Sequence, residues 1–415
     1  MARTRTFLVT AVLASIVFAG SATAQVATSY TLTDLGTLPG GTDSRAEGIS
    51  PNGIVVGYSV VGGLHIATAW VGAVPQNLGT LPGDTQSEGR FANASGVIVG
   101  FSTNSTFTAD KAVLFTIGGT PTNLLVNATL AQPPTGPTLA NSRAEAISPT
   151  GEIVGHAYSG NFNNLTVADG LRGFYRSATG VVTRLDSPDG VTNYPASAAL
   201  SYGINASSQV FGQADPQGAN PGYRGSRWSA PIGTSATPSF SYPAASGAGA
   251  ADITDYLGTQ GNNANRIVGT AENVDNSRSQ AFASDGTTTT LLNNLGGSAV
   301  GMRGNAFSIN NALVNIIAGS SSNVSGALTA TAWNWPGSGN PDPTPIDLNS
   351  RVANPTGLSL VEALGVNDLG QIVGYGIIGG HEHAFLLTPV PEPGTLALCG
   401  LGLVGMAGRK WRRRS

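Results

Sequence analysis

A single cysteine, Cys399, stands among 415 residues, and it falls inside an apolar run near the C-terminus. No disulfide framework is available, so a folded body has to rest on buried core alone. Charge is scarce as well, with Asp, Glu, Lys and Arg together making 10% of the chain. Setting aside Arg3, Arg5 and five basic residues at the C-terminal end leaves 13 positive against 23 negative side chains. That balance argues against a nucleic-acid partner, which needs clustered Lys and Arg to displace phosphate counterions. The sequence also lacks a Gly-x-Ser-x-Gly elbow, a His-Glu-x-x-His helix and an Asp-rich calcium loop. Gly400-Leu401-Gly402-Leu403-Val404-Gly405 fits a dinucleotide-binding spacing, yet it has neither the preceding strand nor the acidic partner that this chemistry needs. The residues assign no catalytic group, no metal ligand and no cofactor.

Glycine, by contrast, is abundant: 57 residues, about twice the usual share of roughly 7%. Its placement is periodic. Short apolar runs end in Val-Gly or a close variant, with closing glycines at 57, 100, 155, 212, 269, 319 and 374, spaced 43 to 57 residues apart. Such a period suits one four-stranded unit per repeat. In the clearest unit Ala46 and Ile49 belong to a first strand, and Asn52-Gly53 predicts a two-residue type I′ turn. Ile54 to Ser59 then returns, Ala67 to Trp70 forms a third strand and Gln76 to Leu78 a fourth. Seven units with no self-sufficient core must stack, and a ring removes the open ends. An unmatched strand, Ser29 to Leu35, precedes the first unit, while the seventh stops after its third strand at Leu387. The expected fold is therefore all-β, a seven-bladed propeller closed by the N-terminal strand.

Both ends carry addressing features. Arg3 and Arg5, an apolar stretch from Phe7 to Ala19 and Ala22-Thr23-Ala24 compose a secretory signal peptide, with cleavage expected between Ala24 and Gln25. At the other end Pro391-Glu392-Pro393 precedes the apolar run 394–408 and then Arg409, Lys410, Arg412, Arg413 and Arg414. The basic cluster is a positive stop that fixes this end on the cytoplasmic side. The apolar run is short beside the ~20 residues of a comfortable span, which suits a temporary transmembrane helix.

This tripartite tail resembles the PEP-CTERM sorting signal of Gram-negative bacteria. The resemblance implies that exosortase recognises Pro391, Glu392 and Pro393, that the helix is removed during sorting, and that the protein ends at the cell surface or in extracellular polymer. Residues 30 to 388 resemble the HAF family of extracellular repeats through His383-Ala384-Phe385, Asp34-Leu35-Gly36-Thr37-Leu38 and the Val-Gly block. That family is expected to be propeller-like and has no assigned activity. The domain reading is a signal peptide over 1–24, a HAF-repeat propeller over 25–389 and a sorting signal over 390–415.

Among possible sites, His381-Glu382-His383 places two imidazoles on one strand face without a visible third ligand, and His65 and His156 stand alone. Asp34, Asp84, Asp186, Glu47, Glu145, Asp347 and Glu362 read as turn caps and solvated charges, and the recurrence of Glu47, Glu145 and Glu362 just before a Gly/Ala-Ile or Ala-Leu step suits a structural role. Convergence of two or three of them in the ring would instead suit glycoside chemistry. One aromatic per unit (Trp70, Phe115, Tyr175, Trp228, Phe282, Trp333, Phe385) reads as core between blades. Function is therefore expected to be that of an exported binding or structural module at the cell surface or in the matrix. Its partners would be the secretion machinery, exosortase and extracellular polysaccharide. The alternative is a carbohydrate-active hydrolase or lyase on the same scaffold.

Overall fold

In a computed structural model, residues 25–124, 140–159, 171–186, 199–214, 223–229, 253–273, 278–297, 301–337 and 344–391 are described, together with the strand backbone at 235–236 and 240–241. The expected signal peptide, the tail helix, Glu392, Pro393 and the basic residues 409–414 lie outside them. Among the described residues no helix is long and apolar enough to cross a membrane.

Seven antiparallel sheets follow one another along the chain, each of four strands except the third, to which Ser235–Ala236 adds a parallel edge. Their first strands neighbour one another around a ring, and the seventh neighbours the first. The last blade is completed by the N-terminus: Tyr30–Asp34 pairs antiparallel with His381–Pro389, from Tyr30 opposite Pro389 to Asp34 opposite Phe385. Apolar clusters bridge neighbouring blades. Val373 and Ala384 of blade 7, for example, pack with Ala46, Ile49, Val55 and Trp70 of blade 1. All seven third-strand aromatics are buried.

The Val-Gly period has a backbone cause. In every blade the closing glycine of the second strand crosses the first strand so tightly that a Cβ would lie 1.9–2.0 Å from a carbonyl oxygen, Arg45 O for Gly57 and Glu362 O for Gly374 among them. Only glycine fits that crossing. Immediately beyond it the first strand carries one extra residue: Glu47, Arg90, Glu145, Tyr202, Thr259, Phe307 and Leu364 have no partner in the second strand. These are β-bulges, which re-aim a side chain out of the pleat.

The turn after each first strand also differs from the type I′ expectation. Asn52 keeps an ordinary φ and only Gly53 is left-handed, at 88°, because the turn is held by its first residue. Ser50 Oγ accepts from the Ile54 N–H; Asn93 and Asn367 do the same from residues two and four places on. The amides of these capping asparagines then reach around the ring. Asn205 donates to Asn262 O at 3.0 Å, Asn262 to Asn310 O at 3.0 Å, and Asn367 to Ser50 O at 3.2 Å across the closure. One end of the channel is thus a belt of linked turns, with Ile49, Ile147, Ile204, Ile309 and Val366 beneath it.

Candidate functional site

At the opposite end of the channel the first strands bring charge together. The bulge residues form one layer, Glu47, Arg90 and Glu145 in blades 1 to 3. Two positions earlier lies a second layer of Arg45, Glu88 and Arg143, with Glu362 beside it in blade 7. Across blades 1 to 3 the signs alternate both from blade to blade and along each strand. Arg45 meets Glu47 and Glu362, both at 3.1 Å. Arg90 meets Glu47 and Glu88 at 3.1 Å and Glu145 at 3.8 Å. One guanidinium therefore gathers three carboxylates from three blades. Arg143 turns outward to Asp110, whose Oδ2 accepts from both its Nε and Nη2 at 2.6 Å and from the Tyr158 hydroxyl.

Beside this checkerboard opens a cavity of about 370 Å³ lined by Arg45, Glu47, Tyr58, His65, Glu88, Arg90, Phe107 and Arg143. His65 stacks on Tyr58 with ring centroids 4.1 Å apart and meets Phe107 edge-on at 5.5 Å. Phe107 holds a left-handed φ of 54°, a conformation a bulky residue keeps only where its surroundings fix it. His65 Nδ1 lies 2.8 Å from Glu88 Oε1. With Glu88 ionised, the proton in this contact sits on Nδ1.

The carboxyls sharing Arg90 are driven apart. Burial alone would raise Glu88, but Arg90 and the His65 contact outweigh it and hold this carboxyl below its usual range. Burial dominates at Glu145, which stays above that range despite Arg90 and Arg143. Glu362 is raised in the same way, with Arg45 and Ser320 offsetting only part of the cost. Burial, reinforced by Arg143 and Arg90, also pushes His156 well down, so this ring is neutral. A raised acid makes the native state bind more protons than the unfolded one, so Glu145 contributes stability at pH below its unfolded value that is lost as pH rises through the folded one. The Glu145→Gln variant lacks that slope. Urea unfolding at pH 4 and pH 7 should show it gaining on the wild type at the higher pH.

The sequence reading is corrected here in two respects. Glu47, Glu145 and Glu362 are neither turn caps nor solvated charges: Glu47 and Glu145 on bulges and Glu362 two positions before one meet guanidinium groups at one channel mouth. His65 and His156 are likewise members of this cluster, each beside a carboxylate. Glu88, Arg90 and Asp110 were missed, although the inverted order Glu88-Gly89-Arg90 between Arg45-Ala46-Glu47 and Arg143-Ala144-Glu145 is visible in the sequence. The other acids stay apart. Asp34 pairs with His383 at 2.9 Å, Asp84 with Lys111 and Asp186 with Arg184, while Asp347 caps the turn at Asn349. His381 faces Asp43 at 3.4 Å. Among the described residues no group of His, Cys, Asp and Glu is arranged to hold a metal ion.

No curated protein matches the chain. Among solved structures it is similar to a streptogramin B lyase, at 12% identity and a TM-score of 0.43 over 88% of this chain and 99% of that one. It is also similar to a Trypanosoma rangeli sialidase, at 10% identity and a TM-score of 0.38 over 82% of this chain and 59% of that one. Likeness at this level carries no argument about chemistry. The C-terminus is more specific: residues 389–414 match the PEP-CTERM protein-sorting motif, the mark of an exported protein processed by exosortase.

Proposed function

We propose that this is a HAF-repeat surface or matrix protein whose propeller holds a neutral, hydroxyl-rich extracellular polysaccharide at the charged mouth without cleaving it. One observation carries the reading: each carboxylate lining the cavity already has a guanidinium partner, Glu47 with Arg45 and Arg90, Glu88 with Arg90. Such oxygens are held fixed, fit to accept from sugar hydroxyls, while Phe107 at the cavity wall offers an aromatic surface. A glycan array probed with the mature protein, followed by product analysis, tests it. Retention without fragments is expected, and Phe107→Ala should lose about tenfold in affinity, the ~1.4 kcal/mol of one aromatic contact. Released fragments would instead support a hydrolase or lyase. The opposed shifts of Glu88 and Glu145 around one guanidinium favour that second reading.

In this reading the signal peptide is cut between Ala24 and Gln25, directly ahead of the fold: the Val26 N–H already donates to Asn334 Oδ1 at 2.7 Å. The apolar tail anchors the chain until exosortase removes it. Glu392→Ala removes the recognition motif and keeps the apolar run and positive stop, so the variant should stay in the inner-membrane fraction. Normal release of the variant would overturn the role given to Glu392.

A further inference from the structure

We infer that the belt of linked turns lies against the lipid surface while the tail is anchored, so that the charged mouth opens away from the membrane. This rests on the transient anchor proposed above. The final strand ends on the belt side, since Leu387 pairs with Ile372 just after the turn Asn367 to Gln371, and a Cβ on Gly370 would lie 3.4 Å from Pro389 Cγ. The Val390 N–H donates to Ser29 O at 3.0 Å, which ties down the exit. From Pro389 to the start of the apolar run at Gly394 the chain can span at most about 18 Å, at ~3.3–3.6 Å per residue. That tether keeps the belt of blade 7 beside the bilayer.

The belt is built for such contact. Its turns are mostly Asn, Ser, Gly and Ala, and the charges on them are tied to belt side chains: Asp368 to Asn311, Glu152 to Ser208 and Arg266 to Asn315. Two of its side chains are apolar and unusually open, Leu313 at 76% and Leu369 at 63% exposure. They sit on neighbouring turns, joined by the Asn311 N–H to Asp368 Oδ1 at 2.7 Å, in the two blades nearest the exit. Exposed leucines insert at the headgroup boundary. The far end carries the Arg and Glu layers and a single widely exposed apolar side chain among the described residues, Val324 in the turn 323–326.

The test uses the uncleaved chain, made in a host without exosortase and carrying Cys399→Ser, in vesicles of phosphatidylcholine and phosphatidylglycerol. An environment-sensitive fluorophore is attached to a cysteine replacing Leu313 or Leu369 on the belt, or Ser105 or His381 at the opposite end, all exposed positions. Lipid carrying a headgroup-level spin label should quench the two belt positions and leave the other two bright. Equal quenching at both ends, or quenching of 105 and 381 alone, overturns the orientation. Failure of the chain to float with the vesicles is a separate result, which removes the anchor reading and the orientation with it.

Discussion

Replacing Arg90 with Met should destabilise the protein by about 3–5 kcal/mol, the cost of leaving buried charge without its partner. Arg90 is the one cation shared by Glu47, Glu88 and Glu145. Methionine keeps much of the stem packing and removes only the charge, so lost volume is a minor part of the loss. Charge repulsion then acts between carboxylates of three blades at once. The penalty should accordingly shrink between pH 7 and pH 4, as protonation relieves Glu88 and Glu145 in the variant. In the wild type the sign at Glu88 is the reverse. Its lowered pKa gives stability that is present above the unfolded value and lost as pH falls through the folded one. Urea titrations of both proteins at the two pH values decide the matter. A loss independent of pH would mean that Arg90 acts through packing and not through charge.

The scaffold was far more legible in the sequence than this cluster, for a physical reason. A glycine demanded by a strand crossing recurs wherever the crossing recurs, so Gly57, Gly100 and their counterparts print the blade period directly onto the chain. The unmatched strand from Ser29 and the short seventh unit announced their pairing in the same local way. Convergence at the channel mouth is not local. Glu47 and Glu362 reach the guanidinium of Arg45 from blades at opposite ends of the chain, and only ring closure makes them neighbours. The bulges hid the rest. A bulge breaks the period of two at the very residue it turns toward the axis, so Arg90 reads as an ordinary strand position and Glu145 as a cap or solvated charge. His65 looked solitary because its partner, Glu88, lies 23 residues on in the next blade. Alternating charge order at 45–47, 88–90 and 143–145 was the one signal within reach.

Cutting Trp333 to Ala should cost about as much as breaking the charge cluster, again about 3–5 kcal/mol, as for other large buried aromatics. The side chain is fully buried in the seam between blades 5 and 6, among Val268, Ala281, Leu292, Ala306, Ile317 and Trp335. Its ring lies against the Gly319 crossing, where an added Cβ would come within 3.0 Å of Cζ3, so the indole fills space that the obligatory glycine leaves open. Its Nε1–H donates to Asn293 O at 2.9 Å. Truncation therefore opens a cavity and orphans a carbonyl together, and surrounding strands pinned on both sides cannot collapse into the gap. Thermal unfolding followed by near-UV circular dichroism should show a lowered midpoint, with loss of tertiary signal preceding any loss of glycan retention. Were stability unchanged and retention alone abolished, Trp333 would be a ligand contact, and the seam between these blades would have to open in solution.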